Sequence, residues 1–181
     1  MYRKVMKTLL LVLVTAILVT APEAVGQTDP RIVREVRHEL VTLPYYGVFD
    51  WLEYEVQNDG TVILRGQVVR PTTKSDAEGR VKDIEGVRRV ENDIEVLPLS
   101  PQDDRLRRAL YRAIYHFNSP LFRYATQSVP PIHLIVRRGH ATLKGVVATR
   151  ADAQMAYIRA RGVPGLFSVR NELIVEGERE R

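Results

Sequence analysis

No cysteine occurs in the 181 residues, which excludes disulfide staples, thiol nucleophiles and thiolate metal centres at once. Histidine is scarce: His38, His116, His133 and His140 are scattered rather than gathered with carboxylates, so no metal site is expected. Neither a Gly-x-Ser-x-Gly elbow nor a glycine-rich phosphate loop is present, and no cofactor signature replaces them. The residues favour a binding protein over an enzyme. Only one tryptophan occurs, Trp51, and it clusters with Tyr45, Tyr46 and Phe49 in a group expected to be core and rim.

Long apolar runs are also missing. Leu9 to Val19 spans 11 residues, about half of the ~20 that a membrane-crossing helix needs. It follows the basic Arg3, Lys4 and Lys7 and precedes the small residues Ala24-Val25-Gly26. That layout is a Sec-type export signal with cleavage expected after Gly26, so residues 1–26 are set apart from the fold. A periplasmic or otherwise exported destination follows. No cysteine follows the run, so a lipoprotein anchor is excluded.

The chain does possess an internal repeat. Moved forward by 79 positions, Asp59–Val96 lies on Arg138–Val175 without a gap, with ten identities in 38 positions. Gly60, Gly66 and Gly86 fall on Gly139, Gly145 and Gly165, and Asn92 falls on Asn171. These are turn, strand and helix-end positions, which marks a duplicated fold rather than a chance match. Charge divides along the same line. Residues 27–98 carry 10 Lys/Arg against 14 Asp/Glu, whereas residues 99–181 carry 14 against 7. The halves can attract each other, or the second can meet an anionic surface.

Periodicity gives each repeat the same order. Asp29-Pro30 opens a helix with Ile32, Val36 and Leu40 inward. Alternation over residues 51–57 and 61–69 around Asn58-Asp59-Gly60 predicts a hairpin. A helix from Pro71, ended by Gly86, and a strand over 87–96 complete the unit. The second copy starts at Ser100-Pro101, with Leu106, Leu110, Ala113 and Phe117 as its buried stripe, and a proline-bearing loop about five residues longer follows. Strands over 132–137 and 141–147, a helix from Thr149 and a strand over 167–175 complete it. The reading is α+β: two tandem α-β-β-α-β domains over 27–98 and 99–176, each a three-stranded sheet on two helices, then a charged tail over 177–181.

The turn glycine, Val62-x-Leu64-x-Gly66-x-Val68, Gly86-Val87 and Val90-x-Asn92-x-Ile94-x-Val96 resemble the BON domain family of bacterial envelope proteins. The second copy repeats this as Leu143-x-Gly145-x-Val147, Gly165-Leu166 and Val169-x-Asn171-x-Leu173-x-Val175, with Ala141 where Val62 stands. The resemblance covers nearly the whole exported chain. It implies a non-enzymatic module that binds phospholipid or another envelope component, in a layout similar to osmotic-stress and outer-membrane-maintenance proteins.

The candidate site lies where the copies differ. On a helical wheel centred on Leu106, the residues Arg107, Arg108, Tyr111, Arg112 and Tyr115 fall on the far side, without an acid among them. Tyrosine and arginine suit a membrane interface, because phenol rings sit at headgroup level and guanidinium pairs with phosphate. Arg137 and Arg138 crown the second hairpin as further anion ligands. Gly60, Gly66, Gly86, Gly139, Gly145 and Gly165, with Asn92 and Asn171, read as structural. The expected partner is an anionic phospholipid surface, with no nucleic acid, metal or cofactor. An envelope protein adaptor or a wall-polymer-binding module is the alternative.

Overall fold

The computed structural model describes residues 29–177; the expected export signal and the end of the charged tail lie outside the described residues. Helix α1 (Pro30–Val41) precedes strands β1 (Trp51–Val56) and β2 (Thr61–Val68), helix α2 (Pro71–Lys82) and strand β3 (Arg89–Val96). The second repeat follows as α3 (Pro101–Ile114), a single-turn α4 (Phe122–Ala125), β4 (Ile132–Arg137), β5 (His140–Val147), α5 (Arg150–Arg161) and β6 (Ser168–Val175). Each repeat has a three-stranded sheet with its second strand central, antiparallel to the first and parallel to the third. The fold is α+β, as the patterning requires. A parallel pair needs a helical crossover, and α2 and α5 supply it.

Helix starts are chemically marked. Asp29 accepts from the Arg31 N–H at 2.8 Å, Ser100 Oγ from Asp103 N–H at 3.1 Å and Thr149 Oγ1 from Asp152 N–H at 3.1 Å. Such caps satisfy donors that the first helical turn leaves open. Behind them, Ile32, Val36 and Leu40 of α1 and Ala77 and Val81 of α2 close on Val62, Leu64, Val68 and Ile94. The second core repeats this with Leu106, Leu110 and Ile114 of α3 over Leu134, Leu143 and Val147. Each large side chain buried this way contributes about 1.5–3 kcal/mol. Phe117 does not join them. Helix α3 ends at Ile114, so Phe117 leaves the helical stripe and is 77% exposed.

The loop before β4 is also longer than expected, 17 residues (115–131) against nine (42–50) before β1. It is nevertheless fastened. Leu121 and Tyr124 are buried in the second core, and Asp152 at the start of α5 accepts from Arg123 at 2.5 Å and from the Tyr124 hydroxyl at 3.0 Å.

The repeats dock through their differences in charge and through one loop. Val48, before β1, accepts a backbone hydrogen bond from Leu134 N–H on the β4 edge at 2.7 Å. Beside it, His133 is enclosed by Tyr46 and Trp51, with ring centroids 5.5 and 5.1 Å away. The sheet faces turned away from the helices carry Glu53, Glu55, Glu91, Asp93 and Glu95 in the first repeat and Arg137, Lys144 and Arg170 in the second. Among the described residues, two ion pairs cross the joint, Lys144–Glu53 at 3.3 Å and Arg137–Glu95 at 3.1 Å. Ile63 and Ile135 belong to neither helix-side core yet are only 7% and 5% exposed.

Candidate functional site

Helix α3 holds most of the candidate residues, and the structure divides them. Arg107 and Tyr115 do not face outward; they are 3% and 4% exposed. The wheel placed them outside because it assumed one neighbour, whereas α3 is covered on two flanks. Arg107 donates to the Val136 carbonyl at 2.7 Å and pairs with Asp104 at 2.5 Å. The Tyr115 hydroxyl donates to the Ile132 carbonyl at 2.6 Å, and burial raises its pKa well above the usual phenol value. Both therefore secure α3 to β4. Tyr111 is partly covered, its ring 5.1 Å from Tyr115 and 6.4 Å from Phe49 of the first repeat.

Arg108 and Arg112 remain outside. Arg105, which the wheel reading passed over, joins them: spacings of three and four residues set Arg105, Arg108 and Arg112 along one face. Arg105 is exposed and donates to Gln102 at 2.6 Å. Two shallow hollows flank this strip. One, about 460 Å³, is bounded by Arg105, Arg108, Arg112, Ala109 and Pro164. The other, about 360 Å³, is bounded by Arg105, Arg108 and Leu99, and Leu99 is 94% exposed. Its signal in the sequence was the Leu97-Pro98-Leu99 connector, an apolar residue stranded between two prolines.

Arg137 and Arg138 lie away from this strip, at the β4–β5 turn. Arg137 pairs with Glu95. Arg138 has φ 51°, and its N–H and that of Gly139 donate to Asp103 at 2.8 Å each. Asp103, buried at the start of α3, thus binds the hairpin tip. The structural candidates sit as follows. Gly66 and Gly145 have φ of 129° and 120° where a neighbouring strand comes close. The amide of Asn92 donates to the Lys74 carbonyl at 3.0 Å and that of Asn171 to the Ala153 carbonyl at 3.2 Å. Gly60, Gly86, Gly139 and Gly165 all have positive φ at turns. Among the described residues no group of His, Asp and Glu could hold a metal ion.

The same architecture recurs in sequence comparison. The BON domain model matches residues 28–98 and 122–177, together more than half of the chain. The chain belongs to the BON domain family. Its second match starts at Phe122, the first residue of α4, so α3, which carries the basic strip, lies outside the matched segments of this tandem BON protein. No curated protein matches the BON chain. Among solved structures, it is similar to CdsD, a structural protein of the type III secretion system of Chlamydia trachomatis, at 12% identity and TM-score 0.31, covering 80% of this chain and 92% of that one. The C-terminal domain of CdsD is similar at 14% identity and TM-score 0.30, covering 81% and 98%.

Proposed function

We propose that this BON protein is an exported, non-enzymatic envelope component that docks on anionic phospholipid surfaces through α3 of its second repeat and supports envelope integrity. The strip of Arg105, Arg108 and Arg112 beside exposed Leu99 supports this reading. Each basic residue at an anionic surface contributes about 1 kcal/mol, and Leu99 adds a small apolar contact. The result is weak, salt-sensitive docking that needs no change in the fold. Cosedimentation of the full chain with anionic and neutral vesicles at low and moderate salt tests it. Anionic vesicles should bring the protein down at low salt only, and R105Q/R108Q/R112Q should abolish this. Tyr115 is left unaltered because its loss would damage the core. Equal behaviour with neutral vesicles, or unchanged binding by the triple variant, refutes the reading.

A protein partner is the second reading, favoured by the exposed Phe117 and Phe122. Their rings meet at 6.1 Å on the long loop, with 77% and 40% exposure. Retained vesicle binding after replacing both phenylalanines would separate that surface from the basic strip.

A further inference from the structure

The two repeats share a flank that is closed in one and open in the other. Laying Ile32, Val36 and Leu40 on Leu106, Leu110 and Ile114 matches Val33 with Arg107, Arg37 with Tyr111 and Val41 with Tyr115. Pairing to Gly66 and Gly145 likewise matches Leu52, Tyr54 and Val56 of β1 with Ile132, Leu134 and Val136 of β4. In the second repeat, Arg107 donates to the Val136 carbonyl and Tyr115 to that of Ile132. Between them, the Leu134 N–H donates to the Val48 carbonyl of the first repeat, and Phe49 packs on Tyr111. Backbone from outside the repeat thus completes the edge of β4, which is buried from Ile132 to Val136.

The same flank of the first repeat has no such cover. The Gln57 N–H donates to the Thr61 carbonyl at 2.8 Å, so the backbone groups of Leu52, Tyr54 and Val56 point away from β2. Tyr46 hydrogen-bonds the Leu52 backbone. Among the described residues nothing engages the outward N–H and C=O of Tyr54, and β1 is nowhere fully buried. Beside it on α1, Val33 is half-buried, Arg37 is exposed and Val41 is 48% exposed. The acids of α1 are already taken: Glu35 pairs with Arg31 and Glu39 with Arg80, and among the described residues Arg37 has no ion pair. The flank therefore offers backbone bonds at Tyr54, apolar contact at each end and an uncompensated guanidinium between.

We infer that this flank binds an extended segment of another protein, added to the edge of β1 and carrying an apolar-x-acidic-x-apolar pattern. Four residues along a helix advance about 6 Å and two along a strand about 7 Å. A segment paired with Tyr54 can therefore set three same-face side chains against Val33, Arg37 and Val41 in turn. The middle one meets the guanidinium, which a carboxylate matches with two parallel hydrogen bonds. The alternate side chains turn towards Glu53 and Glu55, which disfavours acids there. Strand addition of this kind takes affinity from the main chain and specificity from alternate side chains. The site lies on the first repeat and does not rest on vesicle docking through α3.

Titration of the full chain with a capped Val-Thr-Glu-Thr-Val peptide, followed by amide chemical shifts, tests the site. Saturable shifts should appear at Val33, Arg37, Val41 and Tyr54, and exchange of the Tyr54 N–H should slow. The peptide with lysine in place of glutamate should bind more weakly, and N-methylation of its central residues should abolish binding by removing the backbone donors. R37E, an exposed change outside both cores, should weaken the glutamate peptide by roughly fivefold and make the lysine peptide the better ligand. Absence of saturable shifts at these residues, or an unchanged order of the two peptides with R37E, overturns the proposal. Displacement of the peptide by phosphatidylglycerol vesicles would assign the flank to a membrane and overturn it as well. R105Q/R108Q/R112Q should lose vesicles and keep the peptide, while R37E should keep vesicles, so either proposal can fail alone.

Discussion

Gly66 and Gly145 occupy the tightest backbone approaches in the two sheets. A Cβ on Gly66 would lie 1.9 Å from the Trp51 carbonyl oxygen, and one on Gly145 would lie 1.8 Å from that of Pro131. The obstacle is backbone, so no rotamer change relieves it, and both φ values are in the region that side chains disfavour. Gly145→Ala should therefore cost about 2–4 kcal/mol, well above an ordinary surface change. Urea unfolding of the full chain measures this, and a cost below that of a neutral surface alanine would contradict the geometry. The glycines themselves were legible from recurrence at the 79-residue offset, but the reason for them was not. Sequence marked them only as structural; the actual neighbour is the backbone that enters β1 or β4.

At the scale of elements, periodicity carried far. Strand β4, buried on both faces from Ile132 to Val136, matches the expected bounds through its apolar run, and the other strand ends differ by one or two residues. Alternation works for those others because their sheets pack one face on helices. It fails where burial comes from two directions. Helix α3 is enclosed by its own sheet and by the neighbouring repeat, so Arg107 and Tyr115, polar by sequence, are interior. Helix α4 escaped notice because four residues cannot establish a period. It matters nonetheless, since Asp152 of α5 holds it through Arg123 and Tyr124, while the α5 cap Thr149 donates to the same carboxylate. Removing that carboxylate strips three hydrogen bonds from buried or half-buried groups. Asp152→Ala should cost about 2–3 kcal/mol and should speed amide exchange across 119–126 before it affects the first repeat. Uniform acceleration over both repeats would show that α4 is not fastened this way.

Over the whole molecule, opposite charge on the two halves was visible as a count, and the structure assigns it to facing sheets. That joint contains a titratable weak point. Desolvation depresses the His133 pKa from 6.5 to about 4, against backbone hydrogen bonding at Asp50 and Gly47. The ring is thus neutral in the docked state and more basic when exposed. Because the folded value lies below the unfolded one, its contribution is fully present above pH 6.5 and is lost as pH falls towards 4. Asp50 acts in the opposite sense, since burial raises its pKa and favours the protonated docked form. His133→Gln separates them: the variant should lose the acid limb between these values, and thermal melts across pH measure it. An unchanged acid limb in the variant would clear His133 of that role.

Trp51 gives the joint a property unlike any mechanical one. It is the sole indole in the chain, and it lies edge-on to His133 while donating to Glu53 at 2.5 Å. Every photon of tryptophan emission therefore originates at the seam between the two repeats. An imidazolium quenches a neighbouring indole, and hydration shifts its emission to longer wavelength. Protonation at the seam and separation of the repeats consequently carry different optical signatures, intensity for one and colour for the other, readable in the native chain without any label.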